Sequence, residues 1–341
     1  MNWLKQARTI VGTEGPVLLV VICGLLLGEL GMRLVENRLS KDVAHLKSFE
    51  KIAADLNPYD ADPGMRVLFL GNSMTRYGID PFVFQQEFCK QSDRPIRSVK
   101  MNPDNTALAD WDYAYRNFFS EEGRHPDVLV IGFEGGHLRD RPSNHPDRLA
   151  RYYCDSDDWL RLMRFDLPSF EDRASFLVSS LSTMYSNRDR LQRRVLDAVI
   201  PEYRDSSQQL NRRQTSLAER TLPPPTYHRL KEFIDLVKSE NVRLVLVAMP
   251  IAEKYELDPG LLELLKQEHV ELVDARQVPG IVPEMFPDGI HMTEDASKLY
   301  TAYVADHLAG DASQMSGGPE TEPSQTPAPQ TGARQASAAQ R

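Results

Sequence analysis

Ser73, Asp288 and His291 are the residues in this chain whose types and spacing suit acyl-transfer chemistry. A serine hydroxyl is a weak nucleophile until a base takes its proton, and an imidazole does this best when a carboxylate holds its other ring nitrogen. Asp288 and His291 stand three positions apart in "FPDGIHMT", a D-x-x-H spacing that lets both side chains face one site. Ser73 arrives from far upstream, in "VLFLGNSMTRYGID" (67–80), where an apolar run stops at Gly71 and a small polar turn follows. Each residue has a plainer reading. Ser73 suits a helix N-cap, Asp288 suits a turn ahead of Gly289, and His291 could be an ordinary loop histidine. The three together favour a nucleophile, its base and the orienter of that base.

Such residues need a frame to bring them together. "RVLFLG", "PDVLVIGF" and "VRLVLVAMP" are short, nearly continuous runs of Val, Leu and Ile that end in Gly or Pro, as strands buried on both faces of a parallel sheet do. Helical patterns such as "ADWDYAYRNFF" and "TYHRLKEFIDLVKSE" lie between them. Alternating buried strands and helices predict an α/β domain of three layers around a mostly parallel sheet. Ligands in such domains sit beyond the carboxyl ends of the strands. The residues to examine therefore follow the runs: Ser73 after the first, the loop "EGGH" (134–137) after the second, and Met249 and Pro250 after the third. Arg76, one helical turn past Ser73, could meet an anionic acceptor or pair with Asp80, and the pairing is favoured. His125, His145, His228, His269 and His307 have no partners at meaningful spacing and read as structural.

The sequence divides readily. Residues 1–14 carry Lys5 and Arg8 ahead of the apolar stretch at 15–34, "GPVLLVVICGLLLGELGMRL". This stretch reaches the length of a membrane span if Glu29 sits near an interface. By the positive-inside tendency, the rest of the chain is exported. No A-x-A-like cleavage site follows, so an uncleaved signal anchor is expected. Residues 35–64 read as a short helical stalk, 65–308 as the α/β domain and 309–341 as a disordered tail rich in Gly, Ser, Thr, Pro, Gln and Ala. Within the domain, strands stop at about 145–225, which reads as a helical insertion. A formal net charge of −9 argues against a nucleic-acid partner. The three cysteines, Cys23, Cys89 and Cys154, lie at no zinc-binding spacing, and in an oxidising compartment Cys89 and Cys154 could pair. No metal or cofactor is expected.

"FLGNSMTRYGI" and "DGIHMT" resemble the first and last motif blocks of the SGNH, or GDSL-like, hydrolase superfamily. The forms "GNSMTRYGIDP", "VLVAMP" and "DGIHMTEDASKLY" behind a single N-terminal anchor look more like its membrane-anchored branch, which includes the DltD-like and AlgJ/AlgX-like proteins of cell-envelope polymers. The likeness covers residues 65–308 and is strongest at the two ends of that range. It implies a flavodoxin-like sheet with Ser73 as nucleophile, His291 as general base and Asp288 as orienter. In this superfamily the serine amide, a glycine of the second block and an asparagine of the third hold the oxyanion. Here the second block, "MNPDNTALADW", has no glycine, so Asn102, Asn105 or Thr106 stands in. The third, "IGFEGGHLRD", keeps Gly132 but places Glu134 or Gly135 where the asparagine is expected. The implied function is a membrane-anchored O-acyltransferase or esterase acting on acetyl esters of cell-envelope or extracellular polysaccharide. It would work on the periplasmic side of a bacterial inner membrane, with a multi-pass membrane acyltransferase as acyl donor. The altered oxyanion blocks leave a second reading open, a catalytically inactive scaffold or polymer-binding component of an envelope assembly.

Overall fold

The structure is a computed structural model that describes residues 2–39, 41–56, 64–92, 95–201, 203 and 224–315. The three apolar runs form β1 (Met65–Leu70), β3 (Val128–Phe133) and β4 (Arg243–Ala248). Two further strands flank them, β2 (Ile96–Met101) and β5 (Glu271–Asp274). All five are parallel in the order β2-β1-β3-β4-β5. That is the flavodoxin-like doubly wound order, whose switch point lies between β1 and β3. The expected α/β class holds.

Alternate side chains of the central strands enter two cores. Leu68, Leu70, Leu129, Ile131, Phe133, Leu244 and Leu246 face one layer of helices, and Val67, Phe69, Val128, Val130, Val245 and Val247 face the other. The first layer holds α2 (Lys41–Leu46), α3 (Phe49–Leu56), α6 (Leu108–Tyr115) and α12 (His228–Ser239), whose apolar residues join that core. The second holds α4 (Ser73–Gly78), α5 (Pro81–Gln91) and α14 (Glu294–Met315). Beyond α12 and β4, α13 (Pro259–Gln267) leads into β5.

The stretch expected as a stalk belongs to the body of the domain. Phe49, Ala53 and Leu56 have no solvent exposure and sit in the same core as β1 and β3. Burying a phenylalanine fully contributes about 1.5–3 kcal/mol, which explains why the segment folds against the sheet rather than standing free of it. Its apolar positions are spaced for one helix face, a pattern that suits a packed helix as well as a stalk. The described part of residues 57–64 is Gly64 alone. The tail expected at 309–341 begins inside α14, and 316–341 lie outside the described residues.

The helical insertion expected at about 145–225 comprises, among its described residues, α7 (Pro146–Arg148), α8 (Trp159–Phe165), α9 (Phe170–Leu181), α10 (Thr183–Ser186) and α11 (Arg188–Val199), while 202 and 204–223 lie outside the described residues. It packs against α1 (Asn2–Leu39), the long N-terminal helix, through α10. A stretch of α1, Gly15–Arg38, contains an 18-residue window with a mean hydropathy of 2.2 that is 6% buried, so by length and composition it can cross a membrane. All three cysteines are free thiols, with Cys89 and Cys23 exposed, so the structure contains no Cys89–Cys154 bridge.

Candidate active site

The site begins where β1 ends. A Cβ at Gly71 would lie 2.2 Å from Thr75 Oγ1 and one at Gly132 would lie 2.4 Å from the same atom, so only glycines let α4 settle on the ends of β1 and β3. Asn72 caps this helix, its Oδ1 accepting the Met74 N–H at 2.9 Å. Ser73 is therefore the first helical residue and not the cap, and its hydroxyl is left for other use. At the far end of α4, the Lys100 ammonium donates to the carbonyls of Arg76 and Ile79 at 2.9 and 2.6 Å.

The second half comes from the loop before α14. Asp288 Oδ1 accepts the backbone N–H groups of Ile290 at 3.1 Å and His291 at 2.8 Å, and Gly289 turns the chain with a φ of +89°. Asp288 Oδ2 lies 2.6 Å from His291 Nδ1. Burial pushes the Asp288 carboxyl up, but the His291 ring hydrogen bond and the two backbone N–H groups outweigh it and hold it down at about 2. An ionised Asp288 takes the Nδ1–H, which leaves the Nε2 lone pair to face Ser73 Oγ at 2.8 Å. Tyr77 packs edge-on against the His291 ring at 5.2 Å, and Ser297 and Thr301 of α14 donate to the Gly78 carbonyl at 3.1 and 3.0 Å. These bonds tie the helix after His291 to the helix of Ser73, so the two halves of the site keep one spacing.

The oxyanion candidates scatter. Asn102 is fully buried, its Nδ2 donating to the Phe69 carbonyl at 3.2 Å, and it ties the end of β2 to β1. Gly132 lies within β3 beneath Thr75 and Met249, where its lack of a side chain serves packing. Gly135, with a φ of +48°, forms the turn after β3. Asn105 directs its amide to His145 Nε2 at 3.0 Å, but its backbone has a φ of +54°. That left-handed conformation suits glycine, and asparagine is among the residues that tolerate it. Thr106 is buried, accepting the Trp111 indole N–H at 3.0 Å, and its carbonyl accepts Asn72 Nδ2 at 3.3 Å.

Glu134 contributes through its backbone. Its N–H donates to His137 Nδ1 at 3.1 Å, which fixes the proton of the neutral ring on Nε2. Burial and the nearby Arg141 hold His137 down at about 4, so the ring is neutral at physiological pH. Its Nε2 lies 3.4 Å from Asn72 Nδ2, and because the Asn72 oxygen is engaged by Met74, the two groups face each other as donors. An oxygen acceptor bridging the two from one side, off the line that joins them, would satisfy both. The carboxylate of Glu134 stays 4.0 Å from His137 Nε2. Arg76 pairs with Asp104 at 2.8 Å and Asp42 at 3.3 Å, not with Asp80, which instead caps α5. Among the described residues no cluster of three or more His, Cys, Asp or Glu is arranged to hold a metal.

The sequence motifs pointed to Ser73, Asp288 and His291, and the structure brings these together. They gave no sign of Tyr77, of the capping role of Asn72, or of the paired donors on Asn72 and His137. The only available cue for the last was a histidine three residues after Glu134 in the loop beyond β3.

The fold and site define a flavodoxin-like α/β domain with a Ser–His–Asp chain at its switch point. No family model matches the chain, and no curated protein matches it. Solved structures with some likeness include a lipase/acylhydrolase from Enterococcus faecalis, at 13% identity over 72% of this chain and 97% of that one, with a TM-score of 0.36. An acetylxylan esterase from Geobacillus stearothermophilus shares 11% identity over 74% of this chain and 96% of its own, with a TM-score of 0.37. A GDSL-like lipase from Bacteroides thetaiotaomicron shares 11% over 79% and 98%, also with a TM-score of 0.37. Likenesses this distant assign no family, and the functional reading rests on the site.

Proposed function

We propose that this protein is a membrane-anchored serine O-acyltransferase or esterase that works through an acyl-Ser73 intermediate. The observation that carries the reading is the continuous chain from Ser73 Oγ through His291 to Asp288, at 2.8 and 2.6 Å. Ser73 Oγ attacks the ester carbonyl while His291 Nε2 takes its proton. His291 then returns that proton to the departing alcohol, leaving the acyl group on Ser73. A second hydroxyl, from a sugar or from water, gives its proton to His291 as it attacks the acyl carbon; the bond to Ser73 Oγ breaks, His291 returns the proton to that oxygen, and the acyl group leaves on the acceptor. Asp288 stays ionised throughout and stabilises the charged imidazole.

The oxyanion is assigned to the Ser73 backbone N–H, which has no intrahelical partner in the first turn, to the Asn105 backbone N–H, and to the facing donors of His137 and Asn72. Preorganised donors of this kind contribute about 2.7–4 kcal/mol each to transition-state stabilisation. The resemblance of the first and last motif blocks to the membrane-anchored SGNH branch supports acetyl as the acyl group and a cell-envelope or extracellular polysaccharide as its carrier. It also supports a bacterial inner-membrane location with the domain on the periplasmic side. A single span cannot carry acetyl groups across a bilayer, so the donor is assigned to a multi-pass membrane acyltransferase.

The test is hydrolysis of 4-nitrophenyl acetate by the full-length protein in detergent beside Ser73→Ala and His291→Ala. The reading requires that both substitutions abolish release of 4-nitrophenol, and that acetylated sugar appears when oligosaccharide is added to the wild type. Equal rates in all three proteins would remove it.

A further inference from the structure

Glu29 is a carboxylate within the apolar part of α1, five positions before Leu34, and it is bonded to the helical insertion. It stands fourteen positions past Gly15, about 21 Å along a helix. A hydrocarbon core of about 30 Å takes some 20 residues to cross. A span that begins at Gly15 therefore ends near Leu34, with Glu29 inside it. A lone carboxylate at that depth is costly unless it is paired and hydrogen-bonded.

Glu29 is not alone. Its carboxylate accepts from Arg33 Nε at 2.9 Å, Ser182 Oγ at 2.9 Å, Thr183 N at 2.8 Å and Met184 N at 3.0 Å. Three of these four donors belong to the junction of α9 and α10. Gly28, one residue earlier, admits the same junction, since a Cβ there would lie 3.1 Å from Met184 Sδ. The C-terminal end of α9 is thereby fixed at the depth of Glu29.

The surface of α9 matches that position. Its inner face carries Phe176 and Ser179, both buried. Its outer face carries Phe170, Leu177 and Leu181, exposed by 82, 50 and 77%, with Val178 beside them at 44%. Positions 170, 174, 177 and 181 follow the spacing of one helical stripe, and the fourth member is Ala174. On α1, to which α9 is joined through α10, Leu26, Leu27 and Leu30 are also more than half exposed.

Charge follows the same order along α1. Past the insertion's contact with Glu29, Asn187 Nδ2 donates to Glu36 at 3.3 Å and Arg194 donates to the Arg38 carbonyl at 2.8 Å. Arg38 lies about 35 Å from Gly15 along the helix, beyond the hydrocarbon. The exposed Arg188 and Arg193 of α11 accompany it there, at the level of phosphate headgroups, which attract basic side chains.

We propose that the apolar stripe of α9, Phe170, Leu177, Val178 and Leu181, lies in the outer leaflet of the membrane, held there by the hydrogen bonds of the α9–α10 junction to Glu29. The inference rests on reading α1 as a membrane span. It makes the domain a body seated on the lipid rather than one swinging from a tether, and it fixes the height of the Ser73 cleft above the bilayer.

The test uses full-length protein lacking its native cysteines, reconstituted in phosphatidylcholine and phosphatidylglycerol vesicles. Single cysteines at Leu177, Leu181, Leu26 and Leu262 carry an environment-sensitive fluorophore. Leu26 reports the span, and Leu262, exposed on α13 ahead of the edge strand β5, is the control outside the insertion. Nitroxides on the lipid acyl chains should cause loss of fluorescence at Leu177 and Leu181 as at Leu26, with Leu262 unaffected. Quenching at Leu26 while Leu177 and Leu181 respond only to aqueous iodide would overturn the proposal and leave the anchor standing. Shielding of Leu177 and Leu181 from both quenchers would overturn it in favour of a protein partner or a second copy. Loss of lipid quenching at Leu26 itself would remove the anchor and the proposal together.

Discussion

The two sides of the Ser73 cleft are built on different principles. On one side, Ser73, His291 and Asp288 act through side chains at fixed spacings, joined by bonds of 2.8 and 2.6 Å. On the other, the groups proposed to hold the oxyanion are set by main-chain conformation and by other contacts: the left-handed Asn105, Asn72 held by its capping bond, and His137 oriented by the Glu134 N–H. The first side tolerates little change of residue type. The second can exchange residues as long as an N–H arrives at the same place. A departure from a family's oxyanion motif is therefore weaker evidence of lost activity than a departure from its triad.

Variants can break or sharpen this contrast. Ser73→Ala removes the nucleophile, and esterase kcat should fall by about 10⁴-fold or more. Asp288→Asn keeps the shape of the loop but no longer fixes the His291 tautomer, so kcat should fall by roughly 10³–10⁴-fold with KM little changed. On the opposite side, His137→Ala should lower kcat by about 10²–10³-fold. His137→Gln, which can still present an N–H, should recover part of that loss. Equal rates for the alanine and glutamine variants and wild type would show that His137 only packs the loop and would collapse the contrast.

A smaller effect lies in stability against pH. His45, His137 and His145 are held down at about 4, 4 and 3, each chiefly by burial, with nearby arginines acting in the same direction. Unfolded histidines titrate near 6.5, so below about pH 6.5 the unfolded chain binds protons that the native chain does not, and stability falls as pH drops. Asp110, pushed up to about 6 by burial, acts in the opposite direction, since the native chain takes its proton first. Asp104, Asp158 and Glu121 are also pushed up by burial and act with Asp110, but the three histidines are the groups whose unfolded titration falls between pH 5 and 7, so thermal unfolding should show a lower Tm at pH 5 than at pH 7. His137→Gln should shrink that difference.

What could be read in advance follows physical lines. β1, β3 and β4 announce themselves because central strands of a parallel sheet are buried on both faces, as the full burial of Val128–Phe133 shows. β2 and β5 are edge strands with an exposed Arg97 and a half-exposed Glu271, so their sequences lack the continuous apolar run. The D-x-x-H loop was legible because one short turn does the whole task of orienting His291. The oxyanion side was not, because φ at Asn105 and the tautomer of His137 are set by tertiary contacts. Likewise, nothing in "FEKIAADL" distinguishes a helix packed on a sheet from one in a stalk; the neighbours of Phe49 decide it.

The most direct test of the account is to trap its intermediate. Full-length protein in detergent, mixed with 4-nitrophenyl acetate and quenched in acid, should carry one acetyl group that peptide mapping locates on Ser73, and Asp288→Asn should form the adduct far more slowly. An adduct on another residue, or none in wild type while 4-nitrophenol is released, would contradict the acyl-Ser73 mechanism.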